Sequence, residues 1–398
     1  MTDWSTPRVS PIRLRPREVS LRERALDRTS PLRQLDWILL VTVVALVGVG
    51  GLLIWSATRQ RMIAVGLDPQ AFLKKHVLNA GLGLFLGTCA ALVDYRSLRA
   101  YAPVVYGLSC LGLLAVLSPL GSTINGAHSW IVLPAGFQIQ PSEFAKLAIV
   151  VGTAMLLGEQ RDGEDVPRDG DVLTALLLCA VPMGLIMLQP DFGTTMVFIF
   201  VILGVLSVAN APGRWVVGLL VAGVVVGGGV APHLLKDYQL NRFKVVANPS
   251  TDPRGVGYNT RQARVAIGSG GVFGKGLFHG SQTQGRFIPE QQTDFVFTVA
   301  GEELGLVGST GIILALGVVL WRGLRIASLA TDPFGRLVAA GVVSWFAFQS
   351  FVNIGMTLGI MPVTGLPLPF VSYGGSAMFA NLMAIGLLQN VHMRSREL

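Results

Sequence analysis

Asp294 is the side chain in this sequence best placed to move a proton. It stands in Pro289-Glu290-Gln291-Gln292-Thr293-Asp294-Phe295, where a long polar stretch gives way to an apolar one. Partial desolvation at such a boundary raises a carboxyl pKa and makes the group a usable base near neutral pH. The same position suits a helix N-cap, since Asp ahead of an apolar run satisfies the first unpaired N–H groups. The residue alone leaves both readings open.

Other polar groups lie where charge is costly. Glu143 and Lys146 open an apolar run at i, i+3, so they share a helix face and can neutralise each other. They fit a polar ligand site and a structural ion pair equally well. Asp191, in Leu188-Gln189-Pro190-Asp191-Phe192-Gly193-Thr194, sits at a tight turn between apolar runs, as a helix cap first and a ligand contact second. Gln349 and Asn353, at i, i+4, suit hydrogen bonding between helices. The glycine-rich run 268–276 resembles a phosphate loop but has Ser269 where that motif needs Gly and Gly276 where it needs Ser or Thr. That excludes a P-loop nucleotidase, although its N–H groups and Lys275 still suit a phosphate.

The elements that must hold these residues are membrane helices. The 398 residues are 51% hydrophobic and 14% charged, with mean hydropathy +0.58. Soluble domains carry roughly 25% charged residues, so this chain lacks the polar groups to cover a water-facing globule. Its 48 glycines allow close helix approach. With ~20 apolar residues needed to cross the hydrocarbon, spans are expected to begin near Trp37, His76, Ala100, Ser142, Val172, Phe192, Trp215, Phe295, Leu337 and Gly375. The expected fold is therefore an all-α integral membrane protein of about ten transmembrane helices: residues 37–398 form one polytopic domain, and residues 1–36 a basic cytoplasmic tail without fixed structure. That tail is too long for a signal-peptide n-region, so the first span is expected to stay.

Loop charge orients the bundle. Arg96, Arg99, Arg161, Arg168, Arg214, Arg322, Arg325, Arg336, Arg394 and Arg396 fall on one side, while the opposite loops 121–140 and 361–373 carry no Lys or Arg. Arg59, Arg61, Lys74 and Lys75 run against the pattern. Both termini are expected in the cytoplasm. One large extracytoplasmic loop, residues 232–294 between spans seven and eight, is net basic, which suits an anionic, phosphate-bearing ligand or lipid headgroups. The net charge of +8 does not indicate nucleic acid, because eight arginines sit in the tail beside the first span. Cys89, Cys110 and Cys179 all fall in apolar runs, with neither metal spacing nor a disulfide framework.

Several segments together resemble the SEDS family (shape, elongation, division and sporulation). They include Trp130-Ile131 after Asn125-Gly126, Gln140-Pro141-Ser142-Glu143-Phe144-Ala145-Lys146, Gln189-Pro190-Asp191-Phe192-Gly193-Thr194, and Lys236-Asp237-Tyr238-Gln239 with Arg242. Next come Gly257-Tyr258-Asn259, Gln262-Ala263, Ala266-Ile267-Gly268-Ser269-Gly270-Gly271, Pro289-Glu290 with Thr293-Asp294-Phe295, and Glu302-Glu303-Leu304-Gly305. The last is the run 361–376, which is similar to the elongation branch rather than the division branch. The resemblance extends from about Asp36 to Val391. Gln292 stands where the family often has His, His128-Ser129 where a basic pair is common, and Ala377 where Ser is frequent.

The resemblance implies a bacterial cytoplasmic-membrane peptidoglycan glycosyltransferase acting on lipid II, an undecaprenyl-pyrophosphate-linked disaccharide pentapeptide. It also implies a class B penicillin-binding protein as partner. It makes Asp294 the catalytic residue, with substrate contacts at Trp130, Glu143, Lys146, Asp191, Arg242, Gln262, Lys275, Glu290 and Ser372. Pyrophosphate is a good leaving group that needs its charge neutralised more than a general acid. One carboxylate base then suffices, where glycoside hydrolases usually need two. Lys146, Arg242, Lys275 or a divalent cation (Mg or Mn) would meet the leaving group. Two other readings are a lipid II flippase, with Glu143, Lys146 and Asp191 lining a path, and a scaffold for the penicillin-binding protein without activity.

Overall fold

The computed structural model describes residues 34–124, 127–132, 138–159, 166–225, 229, 237–247, 252 and 255–395. The expectations for residues 1–33, Asn125-Gly126, Arg161 and Lys236 lie outside them. Nine helices fall where spans were expected, α1 (Trp37–Ala64), α2 (Ala71–Leu92), α3 (Tyr95–Leu117), α4 (Pro141–Leu157), α5 (Asp169–Leu188), α6 (Phe192–Val208), α7 (Gly213–Val225), α13 (Pro333–Leu358) and α14 (Gly375–Arg394), and the tenth, α12 (Gly305–Leu329), starts ten residues after its expected place. By length and apolarity α1, α3, α5, α12 and α13 each suffice to cross a membrane. The protein is an α-helical, multi-pass membrane protein.

The bundle has an inside and a lipid face. Nearly every side chain of α4 is buried, and α13 buries a run from Phe334 to Thr357 that includes Trp345 and Phe346. Helices apolar all round belong inside such a bundle. By contrast α3, α5 and α12 leave Leu108, Leu111, Leu173, Leu177, Leu314 and Leu324 exposed, as surfaces facing hydrocarbon must. Helix α14 lies along α2 so closely that a Cβ on Gly386 would sit 2.1 Å from the Gly87 carbonyl oxygen. At the start of α1, Asp36 caps the Leu39 N–H and pairs with Arg322 of α12.

Three features depart from the sequence expectation. Residues 121–139 hold a small antiparallel sheet, β1 (Gly121–Ile124), β2 (Ala127–Val132) and β3 (Gln138–Ile139), in the order β1-β2-β3. Its strands are too short for an alternating pattern to register. Among its described residues the large loop carries α8 (Asp237–Ala247), α9 (Val256–Ser269) and α10 (Ser281–Gly285). The eighth span does not begin at Phe295. A short helix, α11 (Val296–Glu303), ends at Leu304, and α12 starts afresh at Gly305, whose φ of +66° breaks the helical path.

Candidate active site

Asp294 sits in a tight turn that opens α11. Glu290, at φ +54°, turns the chain so that its carbonyl accepts from the N–H groups of Thr293 and Asp294 at 3.2 Å each. The helix therefore starts one residue later. Its N-cap is Phe295, and the Asp294 side chain caps nothing. The capping reading open at the sequence level is removed by this geometry, and the half-buried carboxyl is left for another task.

The segment 361–373 clasps the turn from the other side. Ser372 Oγ donates to Thr293 O at 2.6 Å and accepts from Leu368 N at 2.8 Å, and Tyr373 N donates to Gln292 O at 2.8 Å. From α13, Asn353 Nδ2 donates to Asp294 O at 2.9 Å and to Leu366 O at 2.7 Å. A Cβ on Gly365 would lie 3.6 Å from the Asp294 carboxylate, so the segment passes directly beside it. One helix turn along α13, Gln349 Nε2 donates to Pro367 O at 2.7 Å. Gln349 Oε1 in turn accepts from Trp345 Nε1 at 2.6 Å and from Lys146 Nζ at 3.1 Å. Gln349 thus bonds α13 to α4 through Lys146, as expected of it, and also holds the Pro367 carbonyl, whereas Asn353 bonds no second helix among the described residues and holds the carbonyls of Asp294 and Leu366.

Glu143 and Lys146 do form an ion pair, with Lys146 Nζ 2.8 Å from Glu143 Oε1. Lys146 also lies 4.8 Å from the Trp345 ring centre. Both are buried inside the bundle, Lys146 with no exposed surface. The ammonium is enclosed by Glu143, Gln349 and Trp345, an arrangement that suits the structural ion pair of the two readings open at the sequence level. Lys275, partly exposed, is also paired. Its Nζ is taken by Glu302 and Ser281 at 2.8 and 2.9 Å, and its N–H by Glu302 O.

Around the carboxyl of Asp294 stand Glu290, Arg242 and Asp191. Burial and, after it, the neighbouring Glu290 push the Asp294 pKa up to about 6; Arg242 and the Thr293 hydrogen bond pull against them, and Asp191 adds to the rise. Asp191 is the cap of α6 that its sequence suggested, accepting from Thr194 N at 3.0 Å and Thr194 Oγ1 at 2.7 Å, and it also receives Gln140 Nε2 at 3.4 Å. A narrow cleft at the start of α6 is lined by Pro190, Phe192, Arg242, Phe243, Pro362, Val363 and Thr364. Glu290 also accepts from Gln292 Nε2 at 3.2 Å. Trp130 lies on β2 opposite Ser122, and Gln262 is half-buried on α9; no contact brings either to Asp294 among the described residues. Sequence reasoning missed Gly365 and Thr364, which carry no charge or periodicity that would mark them.

The arrangement offers a base poised to ionise just below neutral pH, one adjacent guanidinium, and a narrow apolar-walled cleft beside that guanidinium. Among the described residues no three His, Cys, Asp or Glu side chains are grouped to hold a metal ion.

A family model described as cell cycle protein, covering FtsW, RodA and SpoVE, matches residues 36–397. Stage V sporulation protein E of Bacillus subtilis (strain 168) is 38% identical over 376 residues, 93% of this chain and 99% of that one. Peptidoglycan glycosyltransferase MrdB of Escherichia coli (strain K12) is 36% identical over 369 residues, 92% of this chain and 95% of the relative. The crystal structure of the rod shape determining protein RodA of Thermus thermophilus aligns with TM-score 0.66 at 32% identity, over 90% of this chain and 96% of that one. A chain from a structure described as a peptidoglycan synthase complex aligns with TM-score 0.76 at 34% identity, over 91% and 98%.

Proposed function

The chain belongs to the FtsW, RodA and SpoVE family of cell cycle proteins and is a membrane peptidoglycan glycosyltransferase, and we propose that it polymerises lipid II with Asp294 as general base. The observation that carries the assignment is the carboxyl of Asp294, which caps no helix, has its pKa raised to about 6, and is faced by Arg242, a residue that also lines a narrow cleft.

Asp294 takes the proton from a sugar hydroxyl of the acceptor. The hydroxyl oxygen forms a bond to the anomeric carbon of the donor as the bond from that carbon to pyrophosphate breaks. A single displacement inverts the anomeric centre. Arg242 is the cation that faces both the carboxyl and the cleft, so it is assigned to the leaving pyrophosphate, with Thr364 Oγ as a hydroxyl at the same wall. A divalent cation, Mg or Mn, enters this proposal only as a companion of the pyrophosphate.

The proposal places the cleft on the outer face of the bacterial cytoplasmic membrane, with both termini in the cytoplasm, and assigns the activity to cell elongation. It takes a class B penicillin-binding protein as partner. The similarity to a chain of a peptidoglycan synthase complex and to the rod shape determining protein supports that choice. A flippase reading loses its support, because the charges expected to line its path, Glu143 and Lys146, neutralise each other inside the bundle. Incubating the purified protein and its partner with lipid II and resolving glycan polymer on a gel tests the assignment; an inactive scaffold would yield none.

A further inference from the structure

The glycine-rich run is a backbone splint across the break between α11 and α12. Lys275 and Gly276 donate their N–H groups to Glu302 O and Glu303 O at 3.0 Å, the carbonyls left open where α11 ends. Gly271 O and Val272 O accept from Leu306 N and Val307 N at 2.9 and 3.0 Å, the donors left open where α12 begins. A Cβ on Gly274 would lie 2.2 Å from Glu303 O, and one on Gly305 2.2 Å from Gly274 N, so both positions require glycine.

With its backbone groups spent in this way, the splint turns two apolar side chains outward. Phe273 is 83% exposed and Val272 55%. Beside them, in the first turn of α12, Leu306 and Val307 are 63% and 57% exposed. These two begin the stripe Ile313, Leu314, Trp321 and Leu324 by which that membrane-spanning helix meets lipid. Phe273 and Val272 therefore continue a lipid-facing surface although they lie outside the helix. Large apolar groups exposed together mark an interaction surface, and continuity with the lipid stripe says which kind.

We propose that Val272 and Phe273 insert into the bilayer leaflet flanking α12 and anchor the α9–α11 connection to the membrane. The bond from Lys275 to Glu302 and Ser281 ties the anchor to the rest of that connection, which ends at Asp294.

The test is spin labelling of Phe273→Cys in a chain carrying Cys89→Ala and Cys110→Ala, reconstituted in phosphatidylcholine–phosphatidylglycerol vesicles. Phe273 makes little contact with the protein, so the substitution leaves packing intact, and a gel-filtration profile like that of wild type checks this. Collision with oxygen, which concentrates in hydrocarbon, should exceed collision with a water-soluble nickel chelate several-fold, as at a Leu314→Cys reference in mid-stripe. Nickel exceeding oxygen would put the tip in water, and low values for both would put it against protein. Either result overturns the proposal.

Discussion

Asp294 holds its proton more tightly in the folded protein than an ordinary Asp, whose pKa is about 3.9. The base form therefore accumulates only as pH rises through about 6, and kcat/KM should fall below that value. Two neighbours set the position of this limb in opposite directions. Glu290→Gln removes a raising charge and should move it to lower pH, while Arg242→Gln removes a lowering charge and should move it to higher pH. A limb unmoved by both substitutions in a pH–rate profile would show that Asp294 is not the titrating base. The linkage has a sign as well. A raised carboxyl pKa favours folding at low pH and loses that contribution as pH rises through the folded value, so ionised Asp294 costs stability at neutral pH. Asp294→Asn should leave the melting temperature at pH 7 unchanged or higher. The sequence could not separate base from cap here, since both want Asp ahead of an apolar run. The separation comes from the left-handed turn at Glu290, which moves the cap to Phe295.

At the scale of elements, α4 and α13 hold the site through a buried polar chain. It runs from Glu143 to Lys146, through Gln349 to the Pro367 carbonyl, and so to the segment beside Asp294. Removing one partner of such an ion pair leaves an unpaired charge in the bundle, which costs about 3–5 kcal/mol. Glu143→Gln and Lys146→Met should each lower stability and activity, and the double variant should cost less than the sum. A double-mutant cycle with additive losses would show that the pair does not act as a unit. The pairing was legible, because i, i+3 spacing puts opposite charges on one helix face. What the pair holds was not, because residues 361–373 reach it only through the packing of the folded chain. The helix boundaries show the same division. All ten expected starts lie within five residues of an observed helix start, as hydropathy alone allows, but at the eighth, Phe295, the helix that starts is the short α11 and the spanning α12 begins only at Gly305. Hydropathy read the two helices as one span, although Glu302-Glu303 and Gly305 mark the break between them.

For the whole molecule, the apolar composition made a membrane bundle legible before any coordinate. The helical packing of the 232–294 region was not, because a mainly polar stretch carries little periodic signal. Orientation is checked by a membrane-impermeant thiol reagent on Arg286→Cys in a chain lacking the native cysteines. Labelling in intact cells is the expected result, and labelling only after permeabilisation would reverse the topology. Because α8, α9 and α10 must be held in place for Arg242 to face Asp294, binding of a class B penicillin-binding protein should raise the polymerisation rate. An isolated chain whose rate is unchanged on adding that partner would speak against this coupling. The central claim, that one carboxylate performs the chemistry, is tested most directly by lipid II polymerisation with Asp294→Asn. The account predicts a folded, partner-binding protein whose rate falls by about 10²–10⁴-fold. A variant that folds, binds its partner and polymerises lipid II at the wild-type rate would contradict it.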